Sequence, residues 1–251
     1  MALGLLATGS CVAAIDIPAA RERMAQLVAS AEKAGAGKRL LPIAGDVTSY
    51  TDCEAMVNAA ISYFGDVHVL VNNAALFLNS FTDRVRSAPP RFTEVPIDRW
   101  IDTINVNVNG PFFMARATVP HMIAQKWGRI VNIVTSYGTM IRGQVSPYGQ
   151  SKAALEASTA IWSADLEGTG VTVNALLPGS AADTSMIPHV DWPDRSTLVK
   201  PSAMVAPMVW LASRQSDGVS GRRFIAKDWD PSAPSDHNVK KASARSAWRS
   251  E

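Results

Sequence analysis

Several functional classes are excluded by what this chain of 251 residues lacks. Cysteine is scarce: Cys11 and Cys53 stand alone, with no CxxC pair and no Cys/His cluster. This reads as a reduced, cytoplasmic protein without a structural metal. An excess of one charge is also missing. Lys and Arg number 24 against 22 Asp and Glu, a net +2, so nothing electrostatic points to a nucleic-acid partner. No apolar run approaches the ~18 residues of a membrane span, and no membrane partner is expected. The apolar start has no Lys or Arg ahead of it. It runs into Val12-Ala13-Ala14-Ile15-Asp16, which reads as a strand rather than as part of a signal peptide.

What is present suits one large core, with 47% hydrophobic and 18% charged residues. Short apolar strands are expected at Cys11 to Ile17, Arg39 to Ile43, Val67 to Val71, Arg129 to Val134, Val171 to Leu177 and Arg222 to Ala226. Helical spacing marks Ala19 to Ala34, Thr51 to Phe64, Ile97 to Ile123, Ser146 to Leu166 and Met204 to Ser213. A kink is expected near Gly110-Pro111, and Leu3, Leu5 and Leu6 read as the end of a helix stopped by Gly9. Strands alternating with helices predict an α/β fold with a doubly wound, mostly parallel, Rossmann-like sheet. The single domain spans residues 1–230, and residues 231–251 read as a disordered or loosely attached tail. Lys240, Lys241, Arg245 and Arg249 fall in that tail as solvated charges.

In such sheets ligands bind beyond the carboxyl ends of the strands. Asp16, Asp46, Asn72-Asn73, Thr135-Ser136 and Pro178-Gly179 follow five separate strands and can meet in one crevice. Tyr148-Gly-Gln-Ser-Lys152 adds a proton donor and a cation four residues apart, on one helical face. A nearby ammonium favours the phenolate and lowers its pKa.

In order and spacing these segments resemble the short-chain dehydrogenase/reductase family. The matching pieces include Gly45-Asp46-Val47, Asn72-Asn73-Ala74-Ala75, Val106-Asn107-Val108-Asn109-Gly110, Tyr148 to Leu155, and Val173 to Gly179. The resemblance implies that Tyr148 is the general acid/base and that Lys152 lowers its pKa and holds the nicotinamide ribose. Asn107 would hold a relay water, and Thr135 would polarise the substrate oxygen in place of the family's serine. Thr135 is preferred to Ser136, because neighbouring side chains leave a strand in opposite directions. Asp16 would accept from the adenosine ribose, which favours NAD over NADP. Asp46 and Val47 would touch adenine, with Asp46 capping a turn as the alternative. Asn73, Ala74, Pro178 and Gly179 would line the cofactor crevice, and Thr184 would hold the carboxamide. The substrate is then a small-molecule alcohol or ketone, and the chain a homo-oligomer, dimer or tetramer, joined through its long helices.

The chain departs from this family at its front. The family's first strand and its glycine-rich turn, which brings backbone N–H groups to the pyrophosphate, are lacking. That strand would lie between the Cys11 and Val67 strands, and losing it costs on the order of 10 kcal/mol. An amino-terminally shortened form of a longer enzyme is therefore expected. Two readings follow: an NAD-dependent oxidoreductase, or a non-catalytic fragment or pseudoenzyme that acts through subunit association.

Overall fold

The computed structural model describes residues 1–248; Arg249 lies outside the described residues. In chain order the elements are α1 (Ala2–Ala7), β1 (Val12–Asp16), α2 (Arg21–Lys33), β2 (Leu40–Ala44), α3 (Tyr50–Phe64) and β3 (Val69–Asn72). Next come α4 (Ile97–Ile104), a π turn (Asn105–Asn109), α5 (Gly110–Ala124), β4 (Gly128–Ile133), α6 (Tyr137–Met140), α7 (Tyr148–Asp165) and β5 (Val171–Leu177). The chain continues through α8 (Val205–Leu211), β6 (Arg222–Ile225), α9 (Ser235–Ala242) and β7 (Ser243–Arg245). Local chemistry sets many boundaries. Ser49 caps α3 by accepting from the Asp52 amide, and Gly65 ends it at φ +90°. The expected kink is the π turn, just before Gly110-Pro111.

The fold is Rossmann-like α/β with a mostly parallel sheet. Its larger sheet has the order β3-β4-β5-β6-β7, parallel except for the last pair. Every residue of β5 is buried, as befits a strand covered on both faces. β1 and β2 form a separate parallel pair, in register from Val12↔Leu40 to Asp16↔Ala44. Among the described residues the strands thus fall into two sheets, with a break that separates β1 and β2 from β3 to β7.

Helices bridge the break. Cys53, Met56 and Val57 of α3 and Met114, Ala115 and Met122 of α5 share a core with Leu70 and Ile130 of the larger sheet. Ile15 of β1 and Ile43 of β2 lean on the same core. On α1, Leu6 packs with Ala31, Ala36 and Leu40, while Met1 and Leu5 pack against the cluster that holds Met204 and Met208. Gly4 permits this contact, since a Cβ there would stand 2.4 Å from Val205 Cγ1.

Residues 231–248 correct the expectation of a loose tail. Asn238 is 1% exposed, and its amide donates to the carbonyls of Asp230 and Ala233 at 2.8 and 3.3 Å. β7 pairs antiparallel with β6, from Arg222↔Arg245 to Phe224↔Ser243. Trp210 Nε1 donates to Ser235 Oγ at 2.8 Å, fastening α9 to α8. Composition missed this segment because polar caps and a sheet edge order it, rather than apolar area.

Among the described residues, no helix is long and apolar enough to cross a membrane. Nor does any group of three or more His, Cys, Asp or Glu side chains stand ready for a metal.

Candidate active site

Tyr148 opens α7, directly below the loops that follow β3 and β5. It is 9% exposed and packs with Phe77, Leu78, Val85 and Val145. The Phe77 ring meets it edge-on, with centroids 4.8 Å apart. The Thr135 side chain, just beyond the carboxyl end of β4, lies near enough to lower the pKa of the phenol. Burial pushes the Tyr148 phenol up to about 12, against a smaller lowering by Thr135. Ser136 is occupied elsewhere: it caps α6, accepting from the Thr139 amide at 3.2 Å.

Lys152 is 2% exposed. Its ammonium donates to the Ile133 carbonyl at 2.7 Å and sits 5.8 Å from the centroid of the Tyr148 ring. Desolvation lowers its pKa to about 8. Burial is thus the leading cause at both groups, and it favours the neutral phenol.

Asn107 lies in the π turn and is completely buried. Its side chain accepts from Leu76 N at 2.7 Å and donates to Leu76 O and Ser151 Oγ, each at 2.9 Å. Ser151 in turn donates to the Tyr148 carbonyl at 2.8 Å. The side chain expected to hold a water thus ties the loop after β3 to the first turn of α7. Gly149 completes that junction, because a Cβ there would stand 2.6 Å from the Met140 carbonyl oxygen. A second buried network escaped sequence reasoning. Asn72 donates to Asn132 at 2.9 Å, and Asn132 to Thr159 at 3.0 Å, linking β3, β4 and α7.

The expected cofactor residues occupy the carboxyl ends of β1, β2, β3 and β5 and the loops beyond. Asp16 is half-exposed, accepts from Ile17 N at 2.9 Å, and meets Arg23 Nη2 at 3.5 Å. Asp46 accepts from Thr48 N at 2.9 Å and so caps its own turn. The Val47 side chain packs on the α3–α5 core beside Gly110. Asn73 and Ala74 are exposed, Pro178 and Gly179 are partly buried, and Thr184 is exposed. Arg195 braces that last loop, donating to Asp183 at 2.6 Å and to the Thr184 carbonyl at 2.9 Å. Asp191 joins the loops after β3 and β5 by accepting from the amides of Arg86 and Ser87. Together these loops cover Tyr148. A cavity of about 810 Å³ opens elsewhere, at the amino ends of β4, β5 and β6 beside Lys126, Trp127 and Asp217. It is remote from this chemistry.

A family model described as short chain dehydrogenase matches residues 1–192. The chain belongs to the short-chain dehydrogenase family. It is 29% identical over 232 residues to 2-dehydro-3-deoxy-D-gluconate 5-dehydrogenase of Escherichia coli K12, covering 88% of this chain and 85% of that protein. It is also 29% identical over 223 residues to the 3-oxoacyl-[acyl-carrier-protein] reductase FabG of Thermotoga maritima, covering 85% of each. In fold it is similar to a gluconate 5-dehydrogenase from Burkholderia cenocepacia J2315, solved with NADP and tartrate. That match has a TM-score of 0.72 and 24% identity, over 89% of this chain and 86% of the other. As a short-chain dehydrogenase, the chain is a member of an oxidoreductase family whose curated relatives are named dehydrogenases and reductases.

Proposed function

We propose that this short-chain dehydrogenase interconverts a secondary alcohol and a ketone, using NAD and a proton relay through Tyr148 and Lys152. The observation that carries the reading is the buried Tyr148 phenol at the start of α7, 9% exposed, with the Lys152 ammonium 5.8 Å from its ring centroid and the Thr135 side chain near enough to lower its pKa. Two hydroxyls at the carboxyl end of β4 and the start of α7 suit the two needs of a carbonyl oxygen, a hydrogen bond and a proton. With its pKa at about 12, Tyr148 is a proton donor at neutral pH, which suits the reduction of a ketone. In the reverse direction it takes the hydroxyl proton, once a neighbouring cation has stabilised its phenolate.

The nicotinamide half of a cofactor fits the residues present. Lys152, Asn73, Ala74, Pro178, Gly179 and Thr184 would hold it, and Asp16, with Asp46 and Val47 nearby, would take the adenosine end. Bound there, the nicotinamide supplies the hydride donor or acceptor. The Asp16 carboxylate disfavours a 2′-phosphate and supports NAD over NADP, and Arg23, 3.5 Å from it, softens that preference. The pyrophosphate is served less well, since the glycine-rich turn that the family places ahead of α1 is not among the described residues.

That break in the sheet favours one second reading, a non-catalytic member acting through subunit association. Ile97, Trp100 and Ile101 on α4, Phe112 on α5 and Ile161 on α7 are exposed, which supports a homo-oligomer joined through these helices. A nicotinamide titration distinguishes the readings. Saturable NAD binding, with turnover lost in Tyr148→Phe but binding kept, supports the enzyme; a folded protein that binds no cofactor supports the alternative.

A further inference from the structure

Behind the contact between Thr135 and Tyr148 lies a buried charge cluster that neither the proton chemistry nor the apolar core requires. Glu156, on α7 one turn beyond Lys152, is completely buried, and Arg223 on β6 is 6% exposed. Arg223 Nε stands 3.3 Å from Glu156 Oε1. This is a coulombic contact without hydrogen-bond alignment, since Arg223 Nε and Glu156 Oε2 have no hydrogen-bond partner among the described residues. The guanidinium is held in other ways. Its Nη2 donates to the Thr135 carbonyl at 3.0 Å, and its carbon lies 3.7 Å from the centre of the Tyr137 ring. The Tyr137 hydroxyl donates to Glu156 Oε1 at 3.2 Å.

The end of the chain closes this cluster. The Ala247 amide donates to Glu156 Oε1 at 3.1 Å. The Trp248 ring stacks on Tyr137, with centroids 5.1 Å apart and planes 27° from parallel. A buried ion pair is a poor source of stability, because desolvation offsets most of its attraction. Its value here is directional. A planar guanidinium pressed between an aromatic face and a carboxylate keeps one orientation, and that orientation aims an N–H at the backbone of Thr135.

We propose that Arg223 is a positioning residue for Thr135, kept in register by Glu156, Tyr137 and residues 246–248. By fixing the Thr135 carbonyl, Arg223 fixes the turn that presents the Thr135 hydroxyl to Tyr148. The chain's last strand and the residues after it thereby belong to the support of the site. This rests on the reading of Thr135 as the hydroxyl that steadies the substrate oxygen.

The test uses the full chain with Arg223→Ala, Arg223→Lys, Trp248→Ala and Thr135→Ala. Amide exchange provides a readout that needs no activity. The Thr139 and Met140 amides bond the Ser136 carbonyl at 3.0 and 3.1 Å. In Arg223→Ala they should exchange about tenfold faster, while amides of β5 stay unchanged. Arg223→Lys should recover part of the protection. With NAD and a panel of secondary alcohols, Arg223→Ala should lower kcat by about 10- to 100-fold with little change in KM. Adding Thr135→Ala should then cost little more. Unchanged exchange at Thr139 and Met140 in folded Arg223→Ala, or fully additive losses in kcat, would overturn the proposal. If Arg223→Ala does not fold, Trp248→Ala carries the exchange measurement, with faster exchange expected and unchanged exchange contradicting. Should the unaltered chain turn over no alcohol, the proposed function fails, while the exchange measurement still decides the role of Arg223.

Discussion

Lys152 and Tyr148 share one face of α7, yet the ammonium lies 5.8 Å from the centroid of the phenol ring and donates to the carbonyl of Ile133. The pair is therefore set for burial rather than for charge transfer. Desolvation moves both groups toward their neutral forms, Tyr148 up to about 12 and Lys152 down to about 8. A ligand that draws the ammonium toward the phenol would reverse the effect on Tyr148.

This arrangement predicts how stability depends on pH. Lys152 titrates near 8 in the folded chain against an ordinary 10.5. Between those values the unfolded chain binds more protons, so stability rises with pH across the window. The gain from this one group is on the order of 3 kcal/mol. Tyr148 acts oppositely: its rise from 10 to about 12 makes stability fall above pH 10. Urea melts at about pH 7 and about pH 9.5 should show Lys152→Met losing the rise seen in the unaltered chain. Equal slopes in both proteins would contradict the desolvated ammonium.

Asn107 predicts a structural loss. Asn107→Ala removes three hydrogen bonds and leaves the amide and carbonyl of Leu76 without that partner. It should cost roughly 2–4 kcal/mol in unfolding free energy. Asn107→Asp keeps the acceptor for the Leu76 amide but turns a carboxylate oxygen on the Leu76 carbonyl, and should cost at least as much. A change below about 0.5 kcal/mol in Asn107→Ala would mean that the contacts are not made in solution.

Ending the chain at Asp230 predicts a further change. It removes α9, β7, the Asn238 cap and the contacts of Ala247 and Trp248. Stability should fall by roughly 2–4 kcal/mol, seen as a lower melting temperature. A loose tail would leave the melt unchanged.

The cysteines give a simple check of burial. Cys11 is exposed, whereas Cys53 is buried in the α3–α5 core with its thiol pushed up to about 11. Since the thiolate is the reactive form, Cys11 should label at least about tenfold faster than Cys53 in the native protein. Cys11→Ser should abolish the fast phase, and comparable rates would contradict the packing of α3.

Much of this was legible in the sequence. Runs such as Val171 to Leu177 announce buried strands through composition, and Tyr148 and Lys152 share a face through spacing alone. Other features depend on folding in three dimensions. Asn107 reads as an exposed helix residue until the π turn points it at Leu76 and Ser151. The Glu156–Arg223 pair is 67 positions apart, and its local sequence contains no pattern that joins them. The segment after Pro231 is poor in apolar residues, and a backbone ladder leaves no mark on composition.

The central claim is that Tyr148 moves a proton while NAD exchanges a hydride with a secondary alcohol or ketone. Its most direct test follows reduced-nicotinamide absorbance with the purified 251-residue chain, NAD and a panel of secondary alcohols, beside Tyr148→Phe. The account predicts turnover in the unaltered chain, and in Tyr148→Phe a loss of at least about 100-fold in kcat with NAD affinity retained. Undiminished turnover in Tyr148→Phe, or a folded chain that neither binds NAD nor turns over any alcohol, would contradict it.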